Sequence, residues 1–503
     1  MKKGDFKLGL YHLLLVIVLI TGIFIRCKFY FAKIPFWLDE IMLGYSFTDY
    51  SWEILYTPLQ AFQKAPPLFS FLTVAIRNLF GINELTLRFI PFFTGILSLF
   101  LFYYLLKANI KSKLGILTGC FMFAFCVPLI YFCGEFKPYG SDVFFAILLI
   151  IISKYIDFDN LSYKKIFLYS FGAVLFVLLS FSSLFIIPAI ILYKCMKKFD
   201  YRVLFIGGSY LVSGLYLYFY DIQNNAYLKG YWNNVEHGFT QFPSIDFLWK
   251  FVNDSCRYLV YNFDTSYLVI LVIAALSGFL ILMKDKKETA TIILFTIIFA
   301  IVASLVGAFP LKPKLSLYLT PFYILFIAKL FDINIAVQKL KTVFGIFLCF
   351  LLLFVLKINI PYINLSQDSL IYYNKALKGR NKALDDRNYV KELSINILNN
   401  FKSDEKVLSS NEFLYGTKYY KYVYNYDKLP KVISFDDIKT YDELENFIMN
   451  NYTNGLWIAG RDGERYYRCF DSGDIQRIIT SNNLKTEFYN HNDIYLFHIT
   501  NSF

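Results

Sequence analysis

Two adjacent carboxylates, Asp39 and Glu40, close the segment Phe36-Trp37-Leu38-Asp39-Glu40, a few residues beyond a long apolar stretch at 8–26. One acid of such a pair can take a proton while the other orients it or helps hold a metal ion. Lys64-Ala65-Pro66-Pro67 follows, and its lysine suits either a headgroup anchor or the neutralisation of a departing phosphate. Arg88 stands one helical turn after Glu84, the spacing of a helix-end ion pair. Glu135, Lys137, Tyr139 and Asp142 crowd a junction between apolar runs. Charges at such a boundary are costly unless paired or used. Lys312 and Lys314 alternate with prolines in Phe309-Pro310-Leu311-Lys312-Pro313-Lys314, as anchors or as a second phosphate contact. Aromatic faces stack on sugars, which makes Trp37, Tyr45, Tyr231 and Trp232 lining candidates, with Tyr139 added to them. His237, beside Glu236, suits contact with an acceptor, whereas His12 lies near a span end with no such role.

Hydrophobic residues make up 57% of the chain and charged residues 17%, which marks a polytopic membrane protein. The net charge of +12 fits lysine-rich loops facing an anionic cytoplasmic leaflet, and nothing resembles a nucleic-acid module. Met1-Lys2-Lys3 and the apolar run after it read as an uncleaved signal anchor, because Phe24-Ile25-Arg26-Cys27 offers no small-residue cleavage site. The 8 cysteines show no metal spacing; Cys120, Cys126 and Cys349 fall inside apolar runs as buried thiols. A Cys256–Cys469 bridge is conceivable, with nothing to support it.

Runs long enough to cross a bilayer lie at 8–26, 88–106, 114–133, 138–156, 202–220, 264–283, 289–308, 315–331 and 342–357. The run 165–193 breaks at Ser180-Phe181-Ser182-Ser183 into two short helices. The total is about eleven crossings. The 14-residue stretch 67–80 is short and carries Arg77, so it is expected to lie flat at the interface. Loops 107–113, 154–165, 194–202, 284–287 and 339–341 then share the cytoplasmic side with the N-terminus. The expected organisation is a transmembrane domain over 1–358, with outer loops 27–87 and 221–262, and an extracytoplasmic α/β domain over 359–503. In that tail, Val390, Leu393 and Ile397 mark one helix face, and strands are expected at 407–409, 432–434, 456–459 and 494–497. Helical patterns occupy 441–451 and 474–481, and Gly460-Arg461-Asp462-Gly463 lacks a phosphate-binding fingerprint.

Taken in order, Trp37-Leu38-Asp39-Glu40, Lys64-Ala65-Pro66-Pro67-Leu68, Phe80-Gly81-Ile82-Asn83-Glu84 running to Leu87-Arg88, and Glu135-Phe136-Lys137-Pro138-Tyr139 resemble the GT-C class of integral-membrane glycosyltransferases. Family 39, with the protein O-mannosyltransferases and lipid A aminoarabinose transferases, is the nearest likeness, over roughly residues 8–330. The resemblance implies transfer of a sugar from a polyprenyl-phosphate carrier to an acceptor hydroxyl on a lipid, glycan or protein. In the resemblance the essential acid of the first outer loop maps to Asp39 with Glu40 beside it, the carrier-phosphate contact near the proline pair to Lys64, the loop arginine to Arg88 and the acid after the third span to Glu135. The expected catalytic set is Asp39, Glu40 and Glu135, and the nearby Lys137, Lys312 and Lys314 join Lys64 and Arg88 as expected phosphate contacts. One departure is Lys314, where relatives often carry arginine; a lysine cannot form the same two-pronged contact. A divalent metal near Asp39, Glu40 and Glu135 is compatible with this chemistry, and no ligand spacing demands one. Lys-, Ile-, Asn- and Tyr-rich usage suggests an AT-rich bacterial genome, hence undecaprenyl phosphate as carrier and the inner membrane as location. A flippase for a lipid-linked glycan is the alternative of another class, and a non-catalytic sensor a third. Transporters often show internal repeats and charges at mid-membrane. This chain shows no repeat, and its notable charges gather at one face.

Overall fold

The structure, a computed structural model, describes residues 3–48, 52–55, 57–159, 161–219, 230, 265–333, 384–462, 470–491 and 493–500. Thirteen α-helices precede residue 334 among them: α1 Lys3–Phe31, α2 Leu38–Tyr45, α3 Pro67–Phe80, α4 Glu84–Asn109, α5 Lys113–Ala124, α6 Val127–Cys133, α7 Tyr139–Ser153, α8 Tyr163–Leu179, α9 Ser183–Lys197, α10 Val203–Leu217, α11 Thr265–Asp285, α12 Lys287–Leu305 and α13 Thr320–Lys329. Gly9–Phe31, α4 and α12 are each long and apolar enough to cross a membrane, and α5 with α6 qualifies as one span bent by 50°. The expected run 138–156 is realised as the 15-residue α7, and 165–193 as α8 and α9. The expected span 342–357 lies outside the described residues, as do the loops 221–262 and 339–341, apart from Gly230.

Side chains set the helix starts. Asn83 caps α4 by accepting from Thr86 N at 2.9 Å, and Ser112 caps α5 by accepting from Gly115 N at 3.2 Å. Pro67 opens α3, where its missing N–H costs nothing. The bend between α5 and α6 frees carbonyls inside the bundle, and Arg26 of α1 takes them. Its guanidinium donates to Ala124 O at 2.9 Å and Phe123 O at 3.3 Å, as basic side chains do at helix C-termini.

Tyr30, near the end of α1, donates to Leu85 O at the start of α4 at 2.8 Å. The chain therefore leaves α1 and enters α4 at the same end of the bundle, and α3 lies between them. Arg77 of α3 reaches back to Thr48 O at 2.7 Å. The opposite end is held by a buried lysine. Lys329 bonds to Asp285 at 3.0 Å, Asp332 at 2.7 Å and Asn109 O at 2.9 Å, while Asp332 accepts from Ser112 N at 2.7 Å.

The C-terminal part carries β1 Lys406–Ser409, β2 Lys431–Ser434, β3 Leu456–Arg461, β4 Lys485–His491 and β5 Ile494–Thr500, with α14 Leu384–Asn400, α15 Asn411–Val423, α16 Tyr441–Asn451 and α17 Ser472–Ser481. The sheet order is β2-β1-β3-β5-β4; β1 pairs in parallel with β2 and β3, and β5 runs antiparallel to β3 and β4. Side chains alternate across it. Leu408, Ile458 and Phe497 share a core with Ile448 of α16 and Ile478 of α17. Val407, Trp457 and Leu496 face the other way. They join Leu393 of α14 and Phe413 of α15 in a single core with Phe36, Ile41, Phe69 and Leu87 of the helical bundle. The α/β part is thus packed onto α2, α3 and α4.

Gly278 of α11 lets that helix touch α13, since a Cβ there would lie 1.7 Å from Phe326 O. Gly278→Ala is expected to force the two helices apart at a cost of about 1–3 kcal/mol. A thermal scan in detergent should show a lower midpoint; an unchanged midpoint would mean that this contact is not made.

Candidate active site

The site begins with how α2 is held. Trp37 precedes the helix in extended backbone, and Asp39 and Glu40 occupy its first turn, where the helix dipole favours negative charge. About 100° of rotation separates successive helical residues, so the two acids face different surroundings. Glu40 is fully buried. Arg88 of α4 grips it with two parallel bonds, Nε to Oε1 at 2.8 Å and Nη2 to Oε2 at 2.7 Å. Phe136 N donates to the same carboxylate at 2.7 Å, and Trp37 N at 3.5 Å. Arg88 also donates to Ile34 O and lies over the Phe36 ring at 4.6 Å. One ion pair thereby ties together α2, α4 and the 134–138 junction.

Asp39 points elsewhere. It remains about a quarter exposed and meets Lys314 Nζ at 3.4 Å, across 275 residues of sequence. Lys137 is buried and donates to Gln63 Oε1, one residue before Lys64. Burial lowers the Lys137 pKa below the ordinary lysine value; the Lys314 charge adds to that, and Asp39, Glu135 and Glu40 oppose it. Glu135 is buried and accepts from the Trp37 indole N–H at 3.1 Å. Asp39, Glu40, Glu135, Lys137 and Lys314 therefore act on one another electrically, although they come from three separate parts of the chain.

The remaining expectations divide. Lys64 is half-buried in the connection before α3, beside Gln63. Lys312 accepts through its backbone carbonyl from Ser316 Oγ at 3.1 Å. Tyr139, at the start of α7, packs edge-on against Phe132 with ring centroids 5.4 Å apart. Asp142 accepts from Ser180 Oγ, and its carbonyl accepts from Ser182 Oγ at 3.1 Å, so it staples the α8–α9 break to α7. Tyr45 meets Tyr415 of α15 with centroids 5.7 Å apart and lies under the Lys418 amine. Arg88 is committed to Glu40 in this arrangement. Trp232 and His237 lie outside the described residues, as do Tyr231, Glu236, Cys256, Cys349, Gly463 and Cys469. Among the described residues, no group of three or more His, Cys, Asp or Glu is arranged to hold a metal ion.

Three contributors escape sequence reasoning. Gln63 receives Lys137. Arg387 of α14 approaches Glu40 Oε2 at 3.8 Å and donates to Tyr131 OH at 3.2 Å. Lys391 of α14 pairs with Glu84 at 2.9 Å. Nothing near Arg387 in sequence signals this; only the docking of the tail does.

No family model and no curated protein match the chain. Solved structures do. A crystal structure of ArnT from Cupriavidus metallidurans bound to undecaprenyl phosphate superposes with a TM-score of 0.53 over 99% of this chain and 98% of that one, at 9% identity. The apo ArnT structure from the same organism gives 0.54 over 98% of both chains, also at 9% identity. The chain has an ArnT-like fold. The match to ArnT extends through the C-terminal sheet, so the α/β part belongs to the shared architecture. At this identity, the likeness to ArnT speaks for architecture, and the chemistry must be argued from the residues.

Trp37→Phe keeps the ring bulk and removes the donor to Glu135. Leaving that buried acid short of a bond is expected to cost about 1–3 kcal/mol. The thermal midpoint of the purified variant should fall; an unchanged value would show that the bond contributes nothing.

Proposed function

We propose that the chain transfers a sugar from a polyprenyl-phosphate donor, undecaprenyl phosphate in a bacterial membrane, to an acceptor hydroxyl on an envelope lipid, glycan or protein. The single observation that carries this reading is the division of labour within the acid pair. Glu40 is locked away with Arg88, while Asp39 is open to the site and faced by lysines. Support also comes from the fold, which is shared with a protein crystallised with undecaprenyl phosphate.

Asp39 takes the proton of the acceptor hydroxyl. The acceptor oxygen bonds to the anomeric carbon through an oxocarbenium-like state. The bond from that carbon to the phosphate oxygen breaks, and the polyprenyl phosphate leaves with the electron pair. Lys314 pairs with Asp39 before the donor arrives; an incoming phosphate draws the amine away and frees the base. Lys137, Lys64 and Lys312 supply further positive charge, and Glu135 is placed through Trp37. Arg88 and Glu40 hold the seat. Displacement in one step inverts the configuration at the anomeric carbon. In this reading the site end of the bundle and the α/β part face the extracytoplasmic side of the inner membrane, and the N-terminus lies in the cytoplasm.

Asp39→Asn is expected to lower transfer at least ~100-fold with the fold intact. Purified protein in detergent with undecaprenyl-phosphate sugar, together with mass spectrometry of envelope lipids and glycans, measures this and names the acceptor. Near-normal transfer by the variant, or a product of retained configuration, contradicts the mechanism. A protein that moves lipid-linked sugar only across sealed vesicles would be a flippase instead.

A pH profile offers a second check. Burial lowers the Lys137 pKa, so its charge is lost at a lower pH than that of a solvated lysine. The alkaline limb of the rate should lie below the ordinary lysine range and move upward in Lys137→Arg, whose guanidinium stays charged. A limb that does not respond to the substitution removes Lys137 from the charge set.

A further inference from the structure

The helical bundle does not complete its own site. Glu40 has a second arginine neighbour, and it comes from the C-terminal part. Arg387 Nη1 stands 3.8 Å from Glu40 Oε2, and Nη2 donates to Tyr131 OH at 3.2 Å. Arg387 is itself buried. Tyr131 lies on α6, four residues before Glu135, so Arg387 bridges the helix carrying Asp39 and the helix leading to Glu135. One turn further along α14, Lys391 pairs with Glu84 at 2.9 Å, at the start of the helix that carries Arg88. Tyr419 of α15 stacks on Phe36 with centroids 5.3 Å apart, and a Cβ on Gly44 of α2 would lie 3.1 Å from its ring. A crevice lined by Trp37, Arg387, Glu412 and Arg461 joins this contact to the end of the sheet. There Arg461 bridges Glu412 at 3.2 Å and Asp493 at 2.7 Å. Charges of alternating sign thus extend from Arg88 and Glu40 to Arg387, and from Glu412 to Arg461 and Asp493, all of them buried except Asp493 at the exposed end.

We propose that the C-terminal α/β part is a working component of the transfer site, with Arg387 as a positioning residue that holds α2 and the 131–139 segment in mutual register. The inference rests on the transferase reading for its kinetic consequences, whereas its structural core stands apart from it. A buried arginine shared by Glu40 and a tyrosine hydroxyl does more than attach a tail. It sets the spacing between the two elements whose acids face the reacting atoms, and its charge offsets that of Glu40. Lys314 pairs with Asp39, and Lys137 and Tyr139 lie within its electrostatic reach; the other charged and titratable groups on the elements packed here are Glu40, Glu135, Arg88, Arg387, Tyr131 and the Glu84–Lys391 pair. Removing Arg387 leaves the acids less compensated, which makes Asp39 harder to ionise.

The test uses the full chain. Arg387→Ala is compared with Arg387→Lys and with Lys391→Met, which weakens docking without touching Glu40. Arg387→Ala should lower kcat about tenfold or more, leave the donor KM within about twofold, and move the acid limb of the pH–rate profile to higher pH. Arg387→Lys should recover part of the limb shift, because the charge returns without the two-pronged reach. Lys391→Met should move the limb less than Arg387→Ala does, because Lys391 pairs with Glu84 and not with Glu40. Hydrogen exchange gives a readout independent of catalysis: in Arg387→Ala, exchange should rise in both 37–45 and 131–139. A folded Arg387→Ala protein with an unchanged kcat and acid limb, and with faster exchange confined to α14, overturns the proposal. If the unaltered protein transfers no sugar, the transferase reading fails by itself, and the exchange pattern alone decides whether Arg387 couples the two segments.

Discussion

A carboxylate buried at a membrane surface has to be compensated, and in this chain the compensation organises everything around it. Glu40 carries no exposed surface, and beyond the Trp37 N–H at its own helix start its charge is compensated by Arg88, the Phe136 N–H and the approach of Arg387. Each partner belongs to a different element. Satisfying one charge therefore fixes α2 against α4, against the 134–138 junction and against α14. Asp39, next door, inherits that fixed frame without taking part in it. Its partial exposure and the lysine beside it follow from a helix whose other face is already committed.

The same principle operates at the far end of the bundle with the signs reversed. Lys329 is fully buried, and Asp285, Asp332 and the Asn109 carbonyl surround it. That network joins the ends of α4, α11 and α13. Between the two ends, Arg26 takes the Phe123 and Ala124 carbonyls at the α5–α6 bend, which satisfies these two groups inside the bundle. The bundle is pinned at one end and bent on one flank. The chemistry-bearing groups are left to gather at the other end, where the α/β part closes over α2.

Much of this was legible in the residues. Apolar length announced the bundle, the Ser180–Ser183 break announced α8 and α9, and Val390, Leu393 and Ile397 lie on the buried face of α14 as their spacing requires. The strands β1, β2, β3 and β5 fall where short β-branched and aromatic runs place them. The misses have physical causes. The edge strand β4, Lys485-Thr486-Glu487-Phe488-Tyr489-Asn490-His491, has half-exposed aromatics and no apolar alternation. The buried face of α15 sets Phe413, Leu414, Tyr419 and Tyr420 beside Asn411, Glu412 and Thr417, and these polar residues mask the helical period in Asn411–Val423. Adjacent acids such as Asp39 and Glu40 look alike in sequence; only the rotation of the helix sends one inward and leaves the other at the site. Arg387 was beyond reach, because its partner lies hundreds of residues away and the docking surface between them is a property of the folded chain.

A double-mutant cycle on Glu40→Gln and Arg88→Gln, read by thermal or denaturant unfolding of the purified protein, tests this most directly. If the buried pair anchors the site, each single change should cost about 3–5 kcal/mol, because it strands the partner's charge. The double variant should then recover much of that loss, with a coupling of at least ~2 kcal/mol. Single changes that cost under ~1 kcal/mol each and add without coupling would show that the pair holds nothing in place.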